Sequence, residues 1–241
     1  MKCVSAFYLD RKSDFERMVK SLHYFHPDLT EEFFTREDLI RLKETDPDYN
    51  WTFHFPYLGQ LLGRKYDFIS HIDADVIIVD RIDKLFDDSY EIIAGRNNSD
   101  NNMAGTIKGW ELPGIDWTKY INSGVHACSG RAYRIWFKEC LNHGMKMILK
   151  DQDVLNELFY SKNFRVKLLD PIESNVHWGT SFEWGTTGTW DSWKLIKVVD
   201  DHLEINNKRI KMLHSAGGGG FPKLSDVVTK EVEEFIQEIV K

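Results

Sequence analysis

Residues 66–79 read YDFISHIDADVIIV. An apolar run through Phe68, Ile69 and Ile72 delivers Asp73 and Asp75, one on each side of Ala74, and continues as Val76, Ile77, Ile78 and Val79. A short continuous apolar run predicts a strand buried on both faces. Burying a carboxylate is costly unless something compensates it. A buried strand that carries two carboxylates to its exposed end therefore supplies hard oxygen ligands for manganese or magnesium. Such a cation would neutralise a pyrophosphate lying across it. The plainer reading is a pair of aspartates on a polar loop, because a DxD triplet often arises by chance.

Outward from this stretch the pattern is α/β. Residues 2–8 read as a short buried strand. Ser13-Asp14-Phe15-Glu16 has capping-box spacing and predicts a helix to about residue 22, with Phe15, Met18, Val19 and Leu22 on one face. A strand followed by a helix at the start is the opening of a nucleotide-binding α/β fold. Further helices are predicted over 36–44, capped by Thr35, and over about 53–62. Downstream come a helical turn over 82–86, a strand over 91–94 and a polar loop over 95–118. Asn122-Ser123-Gly124 reads as a turn entering a strand over 125–129. Helices follow over 132–142 and from Asp151 to about 159, then a strand over 164–169. A hairpin pairs 203–205 with 209–213 across Asn206-Asn207, and a last helix spans 225–240. No repeat and no linker interrupts this order, so one domain over 1–241 is expected, a Rossmann-like mixed sheet flanked by helices.

Composition narrows the function. The 241 residues are 42% hydrophobic and 29% charged, the balance of a soluble globular chain with a core of its own. A formal charge of −7 argues against a nucleic-acid binder. Cys3, Cys128 and Cys140 are widely spaced and form no CxxC pair, which predicts reduced thiols rather than a zinc or redox site. The first apolar residues are interrupted too soon by Asp10-Arg11-Lys12 to make a signal peptide. No apolar run nears the roughly 20 residues of a membrane helix. The expected setting is the cytoplasm.

His214 strengthens the metal reading. It ends an apolar run, 209–213, and precedes the glycine run 217–220. A neutral imidazole can complete a metal shell. Glycines such as Gly217, Gly218 and Gly220 let backbone amides approach phosphate oxygens. Packed histidines and flexible glycine linkers are the bland alternatives.

Four blocks, in order, carry a family resemblance: HIDADVIIVDRIDKLF at 71–86, YINSGVHACSG at 120–130, KDQDVLN at 150–156 and LHSAGGGGFPK at 213–223. Together they resemble glycosyltransferase family 8, the glycogenin and galactosyltransferase-like group. The resemblance implies a GT-A fold, a nucleotide-sugar donor (usually UDP-linked), a manganese ion and retention of anomeric configuration. It implies Asp73, Asp75 and His214 around that ion, with Asp73 bridging metal and ribose. The nucleotide would fall to about residues 1–125, and the acceptor side to about 126–241. Where the family ending HxxGxxKPW has its lysine, this chain has Gly220; Lys223 lies three residues on.

The same resemblance assigns the sugar pocket. Asp151 and Gln152 would line it, and Asp153 would either reach it or cap its own helix. Carboxylates in a helix's first turn are also ordinary caps. Asn122, Ser123 and Gly124 would lie beside the donor sugar. At the end of the first strand Ala6 and Tyr8 are candidates for the nucleotide base, with Tyr8 stacking on uracil or simply packing in the core. Trp178, Trp184, Trp190 and Trp193 crowd one Gly- and Thr-rich segment. The first three are the candidate acceptor platform, because sugars offer apolar C–H faces to aromatic rings; the alternative is a loop pinned to the core by its tryptophans. Glu173, His177, Glu183 and Asp191 lie near enough in sequence to orient an acceptor hydroxyl.

Two other functions are compatible with parts of the pattern. A nucleotide-sugar-binding protein without turnover would keep the same metal site. A haloacid-dehalogenase-like phosphatase would use IDADVIIV differently, with its first aspartate as nucleophile. Its motif normally sits near the N-terminus, and it gives the NSG, DQD and HSAG blocks no role.

Overall fold

The computed structural model describes residues 1–96, 120–174, 176–177, 190–215 and 221–241. Its centre is a six-stranded mixed sheet ordered β2-β1-β3-β6-β5-β7. The strands are β1 (Lys2–Phe7), β2 (Glu31–Phe34), β3 (Phe68–Ile72), β5 (Ile92–Arg96), β6 (Ile121–Ser129) and β7 (Val166–Leu169). Strand β3 is buried at every position, the polar Ser70 and His71 included. Helices α1 (Lys12–Phe25), α2 (Arg36–Thr45) and α3 (His54–Leu62) connect the first three strands. Strand β1 is parallel to β2 on one side and to β3 on the other. The chain thus leaves β1 in opposite directions, and a crevice opens where those parallel strands end.

Strand β6 runs antiparallel to β3, from Phe68 opposite Ser129 to Ile72 opposite Val125. Its beginning therefore lies beside the end of β3, and this reversal brings the NSG block to the DxD block. A smaller sheet, β4-β12-β8, is built on β4 (Val76–Ile78), β12 (Met212–His214) and β8 (Val176–His177). In it β12 is antiparallel to β4, with His214 opposite Val76. A third sheet pairs β9 (Lys197–Val199), β10 (His202–Ile205) and β11 (Lys208–Arg209).

One hydrophobic cluster packs α3, α4 (Gly130–His143) and α5 (Asp151–Tyr160) against the main sheet through Phe53, Leu62, Ile69, Trp136 and Leu155. A second gathers Met18 and Leu22 of α1 with Phe68, Ile72 and Val125. A third joins Ile77, Leu213, Trp193 and Ile236, tying the C-terminal elements to β4. Asp80, just past β4, accepts two bonds from the Arg209 guanidinium, at 2.6 and 2.9 Å. Asp80 is buried, so this bidentate clamp is worth more than an exposed pair.

Several expectations shift. Helix α1 begins at Lys12 with Arg11 as its N-cap and no side-chain cap, so Ser13 lies inside the first turn and the predicted capping box does not form. The box forms instead on α2, where Thr35 accepts the Asp38 N–H and Asp38 accepts the Thr35 N–H. Asn122-Ser123-Gly124 is the start of β6 rather than a turn before it, because Ile121 is already paired with Arg96 of β5. The hairpin turns at Asn206 and Asn207, both with positive φ, as a two-residue loop requires. Its second arm is only β11, and residues 212–214 leave it to pair with β4. The last helix is two, α7 (Leu224–Val227) and α8 (Lys230–Ile239), with Thr229 accepting the Val232 N–H between them. Strands β2, β8 and β9 and the short helix α6 (Pro171–Ser174) add to the sequence reading. The strand expected over 91–94 runs to Arg96; most of the loop expected over 95–118 lies outside the described residues.

Candidate metal and donor site

Asp73 follows the last residue of β3, and its backbone N–H donates to the Gly124 carbonyl at 2.8 Å. Asp75 immediately precedes β4, and its carbonyl accepts the Ser215 N–H at 2.9 Å. The β4–β12 ladder thereby holds His214 over the carboxylate pair. His214 Nε2 lies 3.2 Å from Asp75 Oδ1 and 3.6 Å from Asp73 Oδ2. The three side chains offer ligand atoms that all lie within 4.8 Å of one another. Two hard oxygens and one imidazole nitrogen suit a divalent cation.

Gly124 keeps this cradle open. A Cβ built on it would overlap Asp73 Oδ2 and come within 2.6 Å of His214 Cε1 and 2.9 Å of Asn122 Oδ1. A side chain there would fill the space between the ligands, so the residues present fit an ion in both chemistry and room.

Burial alone would keep the His214 imidazole neutral, but Asp73 and Asp75 outweigh it and raise its pKa to about 9. Burial also works against the Asp73 carboxylate, yet His214 and then His71 hold its pKa well below the usual range. In the ion-free protein a protonated imidazole thus takes the place of a cation between the carboxylates.

A cleft of about 290 Å³ opens beside the pair, lined by Tyr8, Arg11, His54 and Phe55 together with Asp73, Ala74 and Asp75. Tyr8 lies there with its ring 4.8 Å from that of Phe15. Ala6 does not line it; it is fully buried in the core, because it sits within β1 rather than at its end. Arg11 Nη1 lies 3.8 Å from Asp75 Oδ2 and is the cation among the described lining residues. Sequence reasoning passed over it as the break in an apolar run. Its signal was its place at the end of the first strand, where parallel α/β folds keep their crevice.

The DQD block is stitched to the NSG block. Gln152 Oε1 accepts the Ser123 N–H at 3.0 Å and the Ser123 hydroxyl at 3.1 Å. Asn156 Oδ1 accepts the Ile121 N–H at 2.8 Å, and its Nδ2 donates to the Ile121 carbonyl at 3.0 Å. Asn122 Oδ1 accepts the Gly124 N–H at 2.7 Å. Asp153 is fully buried; one of its oxygens accepts the Tyr120 hydroxyl and the other the Leu149 N–H. Both Asp153 oxygens are engaged within the fold.

Asp151 differs. Its Oδ2 is buried without a hydrogen-bond partner. Burial, reinforced by the negative charges of Asp73 and Asp153, lifts its pKa to about 7 against the pull of backbone N–H groups. Lys150 before it has φ 51°, an uncommon value for a residue with a side chain.

Lys223 is exposed and caps α7, and it is not among the described cleft-lining residues. Gly217, Gly218 and Gly220 lie outside the described residues, as do Trp178, Trp184, Glu183 and the side chains of Glu173, His177, Trp190 and Asp191. Trp193 is fully buried in the C-terminal core. Cys3, Cys128 and Cys140 are free and buried. Among the described residues no helix is long and apolar enough to cross a membrane.

The sheet order, the antiparallel β6 and the crevice beside a DxD pair define the GT-A glycosyltransferase fold. The chain is similar over 100% of its length to galactosyltransferase LgtC, solved with donor and acceptor sugar analogues, at 17% identity, 95% coverage of that chain and a TM-score of 0.59. The bifunctional glycosyltransferase WbbM matches 99% of the chain at 16% identity and a TM-score of 0.64, and the chain spans 49% of WbbM. A glycosyltransferase involved in glycosylation of the major capsid of PBCV-1 matches 100% of the chain and 99% of its own, at 14% identity and a TM-score of 0.53. No protein-family model matches the sequence, and no curated protein does.

His214 sets a pH dependence. Its folded pKa lies above its ordinary value of about 6.5, so the ion-free fold draws full stability from the charged ring below that pH and loses it as pH rises through about 9. A metal ligand must be neutral, so ion binding competes with this proton. The melting-temperature gain from Mn²⁺ is expected to be small near pH ~6 and to grow towards pH ~9. Thermal unfolding across that range, with and without Mn²⁺, checks it; a gain that shrinks as pH rises would count against His214 as a ligand.

Proposed function

We propose that this chain is a metal-dependent glycosyltransferase that moves a sugar from a nucleotide-diphosphate sugar, UDP-linked, to a glycan or other hydroxyl acceptor with retention of configuration. The observation that carries the reading is the convergence of His214, about 140 residues further along the sequence, with Asp73 and Asp75, the pair that lines the crevice. Manganese or magnesium is the cofactor in this reading. When bound, it neutralises the donor diphosphate and stabilises the charge left on it as the sugar departs.

The chain's own groups do the rest. Asp73, Asp75 and His214 hold the ion, and Arg11 faces the diphosphate as a second positive charge. Tyr8 and Phe55 offer aromatic surface to the base. Ser123 and Gly124, fixed by Gln152 and Asn122, border the sugar. Asp151, the carboxylate with an unpartnered buried oxygen, stabilises positive charge on the donor sugar. Asp153 supports this edge from within the fold. The glycine run 217–220 and Lys223 are assigned to the phosphates, and Trp178, Trp184 and Trp190 to the acceptor. The nucleotide side falls to about residues 1–125 and the acceptor side to 126–241, although His214 crosses back to complete the ion site. Three free cysteines fit a reducing compartment, and the cytoplasm is the setting we assign.

Asp75→Ala is expected to abolish Mn²⁺-dependent UDP binding, measured by calorimetry; unchanged affinity in the presence of Mn²⁺ would refute the ion site. Asp151→Asn is expected to cut turnover by about 100-fold or more, near 2.7 kcal/mol, with donor affinity nearly unchanged. Equal losses in both quantities would make Asp151 a structural group. Mn²⁺-dependent hydrolysis of a panel of nucleotide sugars, without acceptor, identifies the donor; tight binding with no hydrolysis or transfer would point to the non-catalytic binding protein.

A further inference from the structure

Asp73 uses its two oxygens differently. Oδ2 faces His214 and the Gly124 gap, whereas Oδ1 lies 3.1 Å from Nε2 of His71, a buried residue of β3. A carboxylate accepts hydrogen bonds and does not donate them, so Nε2 of His71 carries the proton that joins them. On its other side His71 Nδ1 lies 3.4 Å from the Ser5 hydroxyl of β1, also buried. The ring is walled by Phe7 at 5.4 Å, by the edge of Phe55 at 4.7 Å and by His126 at 5.3 Å.

His126 sits directly opposite His71 on β6 and is itself fixed. Its Nδ1 donates to the Ser123 carbonyl at 2.6 Å, and its Nε2 accepts the Tyr133 hydroxyl at 2.8 Å. Burial, and after it the neighbouring His71 ring, push the His126 pKa down to about 3 against the pull of the Ser123 carbonyl, so the ring is neutral. Strands β1 and β6 and helix α3 therefore hold the His71 ring on three sides.

We propose that His71 is a positioning residue for the ion site, resting on the metal reading above: its Nε2–H fixes Asp73 Oδ1 so that Oδ2 alone is presented to the cation. Fixing the carboxylate selects a one-oxygen ligation and spares the cation the entropy of ordering a free side chain. Hydrogen-bond partners of this kind, one step behind the ligand, typically govern metal affinity by about 10- to 100-fold.

Two substitutions in the full chain separate the hydrogen bond from the packing. His71→Phe keeps an aromatic ring among Phe7, Phe55 and His126 but has no donor. His71→Gln gives up the ring and keeps an amide N–H near the Nε2 position. The readout is Mn²⁺ affinity by calorimetry without any donor sugar, with melting temperature of the ion-free protein as the folding check. Expected is a loss of about 10- to 100-fold in His71→Phe and of less than about threefold in His71→Gln. Mn²⁺ bound by His71→Phe as tightly as by the unsubstituted chain would overturn the proposal, and so would equal losses in both variants. If His71→Phe does not fold, His71→Gln decides: near-normal affinity supports the role, and a tenfold loss overturns it. An unsubstituted chain that binds no Mn²⁺ overturns the metal reading itself, an outcome distinct from a normal ion site that ignores residue 71.

Discussion

Two carboxylates and one imidazole meet across the short β4–β12 ladder, and the arrangement of the crevice depends on that meeting. Asp73 and Asp75 would repel each other in a buried crevice; His214, held charged by them in the ion-free chain, removes the conflict. The ladder cannot slip by one residue without turning His214 to the other face. Its register is secured by Leu213 and Ile77 in the core and by the Asp80–Arg209 clamp. A hydrophobic seam thus sets the geometry of a polar site.

The second constraint is the reversal of β6. Because it runs against β3, its first residues sit beside the end of the DxD strand, and the Gly124 carbonyl accepts the Asp73 N–H. Any larger residue there would push into the space between Asp73 and His214. The helix that begins at Asp151 is fastened to the same strand start, Gln152 to Ser123 and Asn156 to Ile121. The ion site and the helix that begins at Asp151 are therefore both anchored to the start of β6.

Much of this was legible in the sequence, for identifiable reasons. A largely apolar run ending in two aspartates carries its burial and its chemistry in adjacent letters, so β3, Asp73 and Asp75 were readable. His214 was readable because it too ended an apolar run. Misreadings came where partners are distant. Asn122-Ser123-Gly124 carries turn-forming residues, yet pairing with β5 draws it into β6; local propensity yielded to a ladder that no window contains. Ser13 and Glu16 have the spacing of a capping box, but the helix starts two residues earlier, with Arg11 as its N-cap. Asp153 could not be told from Asp151 by spacing; only the fold shows Tyr120 and Leu149 occupying one and an oxygen of the other left bare. Arg11 and His71 escaped notice because their relevance lies in contacts with Asp75 and Asp73 rather than in any motif.

The most direct test of the central claim is crystallographic. Crystals of the full chain grown with Mn²⁺ and UDP, measured on both sides of the manganese absorption edge, locate the ion without reference to activity. The account requires one strong anomalous peak bonded to Asp73, Asp75 and His214, with the diphosphate against it. A fully occupied nucleotide whose diphosphate lies elsewhere, or a manganese peak that excludes His214, would contradict it.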